Sequence, residues 1–242
     1  MAQNIYDTPD FFEGYSRMDR SVRGLDGGPE WPALRALLPD LRGKRLLDLG
    51  CGFGWILRWA MSQGAASVLG VDLSENMLTR ARAETADHRV RYLRGDLENL
   101  DLPQESFDVA VSSLALHYVE DLRRLVGAVF LSLVPGGHFV FSIEHPIYMA
   151  SMQPGWLATD DGGRTWPVDH YAVEGPRITD WLAKGIRKQH RTLGTTLNTL
   201  IDAGFALRRI QEWSPTSEQV AAQPSLADEM ERPMMVLVAA QK

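Results

Sequence analysis

A chain of 242 residues is long enough for one large domain with a substantial core and too short for two full ones. Hydrophobic residues at 45% and charged residues at 23% are the balance of a globular protein, and a formal charge of −6 (pI near 5.5) argues against a basic face for nucleic-acid backbones. The single cysteine, Cys51, closes no internal disulfide, "MAQNIYDTPD" lacks the basic and apolar regions of a signal peptide, and no apolar run reaches membrane-spanning length, so a cytoplasmic protein without a membrane partner is expected.

Strands and helices then alternate. "KRLLDLG" (44–50) predicts a strand and "WILRWAMSQG" (55–64) the helix that follows it, ending at Gly64. "SVLGVDLS" (67–74) is a second strand, "ENMLTRARAETA" (75–86) a helix, "VRYLRGD" (90–96) a third strand and "FDVAVSSL" (107–114) a fourth. Leu122, Leu125, Val126, Val129, Phe130 and Leu133 recur at three- and four-residue steps, the stripe of an amphipathic helix stopped by Pro135-Gly136-Gly137, and "HFVFSIEH" (138–145) is a fifth strand. Such alternation points to a parallel sheet with helices on both faces. Residues 146–190 break it: tryptophans and tyrosines stand among Gly, Pro and Asp with no clear period. "RTLGTTLNTLIDAGF" (191–205) restores a helix, and "ALRRIQEWS" (206–214) and "MMVLVAAQK" (234–242) close the chain as strands. The expected organisation is one domain: an N-terminal cap (1–40), a cofactor-binding core (41–145), a lid (146–190) and a helix–strand–strand ending (191–242).

"LLDLGCGFGW" (46–55) sets Gly50, Gly52 and Gly54 directly behind the first strand. Without a Cβ, such a turn admits a ligand close to the main chain, or serves only as a tight strand-to-helix turn. The dinucleotide fingerprint needs its last small residue at position 55, which is Trp55, so an NAD-dependent oxidoreductase is disfavoured. No Gly-Lys-Ser/Thr follows, which removes a P-loop.

Read together, Asp48-Leu-Gly50-Cys51-Gly52-Phe-Gly54, Asp72 after the second strand, "GDLENL" (95–100), "FDVAVSSLALHYVED" (107–121) and "LVPGGHFVFS" (133–142) resemble the class I S-adenosylmethionine-dependent methyltransferases of the small-molecule kind. The resemblance implies an α/β, Rossmann-like, seven-stranded and mostly parallel sheet, its last strand inserted antiparallel, with an aromatic-rich lid. It implies S-adenosyl-L-methionine as cofactor and no metal. Asp48, Gly50, Cys51 and Gly52 would surround its methionine part, together with Ser112 and Ser113 at the end of the fourth strand. Asp72 would hold the ribose, flanked by Leu73 and Met77. Asp96 would meet the adenine amino group and Leu97 would offer a backbone N–H to the ring. In the cap, Tyr15 and Arg20 are candidates for the cofactor carboxylate, or are ordinary helix surface.

His117 and Tyr118 follow the fourth strand and His145 the fifth, where ligands of such sheets bind. His117 and His145 are the candidate general bases for an O- or N-methyl transfer, or each bonds a nearby backbone group. Tyr118, Tyr148, Trp156, Trp166 and His190 are candidate acceptor contacts, though the tryptophans could equally fasten the lid and His190 could be a capping residue. The reading is methyl transfer to an unidentified small molecule, with nucleic acid disfavoured and oligomeric state left open. Its rivals are an RNA-modifying methyltransferase using the basic stretch "KGIRKQHRT" (184–192) and a cofactor-binding protein without transferase activity.

Overall fold

Leu46 and Leu47 are neighbours in the chain, both fully buried, and belong to different hydrophobic cores. That is the signature of a strand covered on both faces. The computed structural model describes residues 3–242; Met1 and Ala2, the head of the stretch in which no signal peptide is read, lie outside the described residues. Its strands in chain order are Arg45–Leu49 (β1), Ser67–Asp72 (β2), Val90–Arg94 (β3), Phe107–Ser113 (β4), Leu133–Glu144 (β5), Leu157–Ala158 (β6), Arg164–Thr165 (β7), Gly175–Trp181 (β8), Ala183–His190 (β9), Ala206–Trp213 (β10) and Met235–Gln241 (β11). Seven of them form one sheet in the order β10-β11-β5-β4-β1-β2-β3. β1 to β5 are parallel to their neighbours, and β11 is antiparallel to both β5 and β10. This is the Rossmann-like, mostly parallel sheet with its last strand inserted antiparallel.

Phe139 and Phe141 on β5, and Val236 and Val238 on β11, face the helices Leu122–Ser132 and Leu193–Asp202. Val140 and Leu237, one residue along, face the helices Trp31–Leu37 and Trp55–Ser62 and Leu78 of Glu75–Ala83. Side chains of alternate parity thus feed two cores, and each helix contributes the apolar stripe that its spacing dictates. Among the described residues no helix is long and apolar enough to cross a membrane.

Boundaries differ locally from expectation. The second core helix ends at Ala83, short of 86, and β3 ends at Arg94. The amphipathic helix stops at Ser132, before Pro135, because β5 already begins at Leu133; the Pro-Gly-Gly stretch falls where the β4–β5 register shifts between Phe107 and Val109. Residues 146–190 hold more regular structure than their lack of period suggests: a helical turn, Pro146–Met149, and two hairpins, β6–β7 and β8–β9. Residues 215–233, for which the sequence predicts nothing, contain the short helical segments Ser217–Ala222, Pro224–Ala227 and Asp228–Glu231.

Candidate active site

A cavity of about 790 Å³ lies beyond the carboxyl ends of β1, β2, β4 and β5, where Gly50, Asp72, Ser113 and Glu144 reach its wall. This is the switch point at which the chain runs outward from β1 in both directions across the sheet. The N-terminal residues and the β8–β9 hairpin complete the enclosure.

The two glycines of the β1 turn do different things. Gly50 has φ +78°, and a Cβ there would stand 2.3 Å from the Cβ of Ala115, so its bareness admits the chain leaving β4. Gly52 has φ +51° and a Cβ would meet nothing within 4 Å; its main chain borders open space. The Gly52 N–H donates to Asp72 Oδ2 at 2.8 Å, and the Ser74 N–H to Oδ1 at 2.9 Å. Burial pushes the Asp72 carboxyl up from its ordinary value, and these backbone donors pull partly against it. Asp96 accepts the Glu98 N–H at 3.0 Å and caps the turn Leu97–Asn99. Leu73, Met77, Asp96, Leu97 and Ser113 all line the cavity.

Three residues expected at the cofactor form a layer beneath the wall and are not among the lining residues. Ser112 is buried and donates from Oγ to the Leu49 carbonyl at 2.7 Å. Cys51 is buried. Asp48 is 1% exposed, its Oδ1 has no partner among the described residues, and burial, reinforced by the Asp72 charge, lifts its carboxyl to about 8. At neutral pH Asp48 therefore carries a proton.

Tyr15 and Arg20 both reach the cavity. Arg20 is held by Glu30 at 3.0 Å, and the Tyr15 ring meets Tyr6 and Phe53 edge-on. The strap ahead of them is fastened at both ends. Gln3 donates to the Gly185 carbonyl (3.0 Å) and accepts the Arg187 N–H (2.9 Å) on the hairpin, while Asp7 accepts the Ser74 hydroxyl at 2.5 Å and the Asn76 N–H at 3.1 Å at the head of Glu75–Ala83. Between them the Tyr6 hydroxyl donates to that of Tyr118 at 3.4 Å. Gln3, Tyr6 and Asp7 are scattered polar and aromatic positions with no motif, and sequence reading passes over them.

The imidazoles are not equivalent. His117 lines the cavity, and its Nδ1 accepts the Glu144 N–H at 3.4 Å, which leaves the ring proton on Nε2. Burial lowers its pKa to about 4, with Glu144 opposing. It is a neutral donor at pH 7 and a weak base. His145 does not line the cavity: Nε2 donates to Glu212 at 2.8 Å and Nδ1 accepts the Ile147 N–H at 3.0 Å, capping Pro146–Met149. Both nitrogens are spent, so the structure does not bring this candidate base to the site. His190 likewise donates to the Tyr171 carbonyl at 2.9 Å, is not among the residues lining this cavity, and ends β9 rather than capping the next helix.

Tyr118, Tyr148 and Trp166 line the cavity, and Trp156 does not. Tyr148 and Trp166 stack at 5.6 Å, and the Arg232 guanidinium lies over both, 4.0 Å from the Trp166 ring and 4.6 Å from Tyr148. Trp156 meets Trp166 edge-on at 5.5 Å. These aromatics fasten the lid to the C-terminal segment, while two of them also reach the cavity.

Another polar cluster in the cavity lining comes from residues no motif flags. Lys188 forms an ion pair with Glu144; their side chains are 5% and 17% exposed. The Lys188 ammonium lies 5.4 Å from the Trp181 ring and 6.0 Å from that of Tyr118. Lys188, Gln189 and His190 are buried, so the basic stretch 184–192 does not form a continuous exposed stripe.

A family model described as a methyltransferase domain matches residues 47–141. Among solved structures, the chain is similar to an S-adenosylmethionine dependent methyltransferase of Mesorhizobium loti, with 61% identity and a TM-score of 0.88 over 90% of this chain and 100% of that one. An uncharacterized protein of Haemophilus influenzae is 34% identical over 251 residues, 99% of this chain and 97% of the relative. A malonyl-[acyl-carrier protein] O-methyltransferase of Pectobacterium atrosepticum is 35% identical over 132 residues, which cover 54% of this chain and about half (51%) of that enzyme.

Proposed function

Because this chain belongs to the S-adenosylmethionine-dependent methyltransferases, with S-adenosylmethionine as methyl donor, we propose that the one cavity takes the donor at its Asp72 end and a small, neutral or cationic acceptor at its Lys188 end. When bound, S-adenosylmethionine supplies an electrophilic methyl carbon on a cationic sulfur. Asp72 would accept hydrogen bonds from the ribose hydroxyls and Asp96 from the adenine amino group. The open main chain at Gly52 would meet the methionine part, with Arg20 and Tyr15 toward its carboxylate. The strap and the hairpin would exclude water, so that most of the acceleration comes from positioning.

The observation that carries the acceptor class is the charge of the lining. Asp72, Asp96, Glu98, Glu144 and Asp180 face three cations, and each cation is already engaged: Arg20 by Glu30, Lys188 by Glu144, and Arg177 by the carbonyls of Ala150, His170, Val173 and Pro176. A carboxylate acceptor, such as the relative's name suggests for that enzyme, would add a further anion to a lining that already carries five carboxylates against three cations. The test is calorimetric titration with S-adenosylhomocysteine and with NAD, followed by transfer of a radiolabelled methyl group into either the small-molecule fraction of a bacterial extract or its RNA. Binding of the first ligand alone, with label in the small molecules, is expected. Label in RNA overturns the acceptor class.

A further inference from the structure

Glu144 is the end residue of β5, lines the acceptor half of the cavity, and uses one carboxylate oxygen on Lys188. Its other oxygen, Oε2, is buried and has no hydrogen-bond partner among the described residues. A buried ionised oxygen left unpaired is costly, and such atoms in a ligand-sized cavity mark where a ligand donates. Two nearby donors are committed elsewhere: the Glu144 N–H goes to His117, and the Tyr6 hydroxyl to Tyr118.

We propose, building on the small-molecule reading above, that Glu144 is the recognition and proton-accepting group for the methyl acceptor, which must carry an O–H or N–H nucleophile. Lys188 pairs with the other carboxylate oxygen, and its ammonium lies 6.0 Å from the Tyr118 ring and 5.4 Å from the Trp181 ring. The terminal carboxylate torsion is soft, so a modest rotation turns Oε2 to the bound donor. In the transfer, the proton leaves the acceptor for Oε2, the electron pair it leaves forms the bond to the methyl carbon, and the C–S pair stays on sulfur. His117 does not compete for that proton, because its Nδ1 already accepts the Glu144 N–H and its Nε2 carries the ring proton.

The test uses wild type and the pair variant Glu144→Met/Lys188→Met, which removes both charges together and orphans neither. Each, saturated with S-adenosylhomocysteine, is titrated with benzyl alcohol, toluene and benzoate by NMR. Wild type is expected to bind benzyl alcohol at least about tenfold more tightly than toluene, and the variant to prefer it by no more than about twofold. An equal preference in both proteins, or benzoate binding tightest to wild type, overturns the recognition role. If wild type binds S-adenosylhomocysteine but admits none of the three probes, the small-molecule reading itself falls, and this one with it. In the reaction, Glu144→Gln is expected to lower methyl transfer into the small-molecule extract fraction at least about a hundredfold. Transfer within about threefold of wild type overturns the proton role.

Discussion

Arg177 and Lys188 stand directly opposite one another across the β8–β9 hairpin, both about 4% exposed. Like charges paired across strands repel, and these are separated only by what each one grips. Arg177 donates to four lid carbonyls, Ala150 at 2.8 Å and Val173 at 2.7 Å being the shortest, and Lys188 is neutralised by Glu144 on the central sheet. The hairpin is thereby tied in two directions, to the lid and to β5.

Removing only one partner of the Lys188–Glu144 pair should therefore be severe. Glu144→Ala leaves Lys188 buried beside Arg177 without compensation, and a loss of about 3–5 kcal/mol is expected in urea denaturation. Glu144→Met/Lys188→Met should come within about 1 kcal/mol of wild type. Equal losses in both variants would show that packing, not charge, sets the cost.

Asp48 imposes a pH dependence of unusual sign for a carboxyl. Its native pKa of about 8 exceeds its ordinary value of 3.8, so between these limits the folded chain holds a proton that the unfolded chain has lost. Its contribution to stability is present at acid pH and declines as pH rises from about 4 toward 8. Asp48→Asn should flatten that decline, by up to about 4 kcal/mol between pH 5 and 8. Parallel stability–pH curves for the two proteins would refute the assignment.

Asp72 receives two backbone N–H groups and lines the cavity. Asp72→Ala should weaken S-adenosylhomocysteine binding about ten- to a hundredfold by calorimetry. Unchanged affinity would remove Asp72 from the binding site.

The strap is held by Gln3 on the hairpin and by Asp7 at the helix head. Asp7→Ala frees one end, and its expected result is faster amide exchange over residues 3–8 with faster release of S-adenosylhomocysteine. Exchange that stays at the wild-type rate would mean the aromatic contacts of Tyr6 suffice.

Much of the sheet is legible because parallel, doubly covered strands are short apolar runs between helical stripes; "RLLDL" and "FDVAVSS" need no tertiary information. The β8–β9 hairpin is not legible, because its inward positions carry Arg177 and Lys188 where the period-two pattern demands apolar residues. The turn glycines and Asp72 declare themselves through spacing. Lys188 and Glu144 do not, since each acquires meaning only from the other, brought together by folding from 44 positions apart. His145 misleads for the converse reason: strand-end position is visible in sequence, whereas its turn toward Glu212, 67 residues on, is not.

The Arg232 guanidinium, lodged between the Tyr148–Trp166 stack and Glu229, also determines how the enzyme answers ionic strength. Mobile ions weaken attractions they can surround, such as the exposed pair Arg164–Asp228, and hardly reach a cation that is 5% exposed against ring faces. Concentrated salt is therefore expected to weaken the Arg164–Asp228 pair of the β6–β7 hairpin before it reaches the aromatic root of the lid.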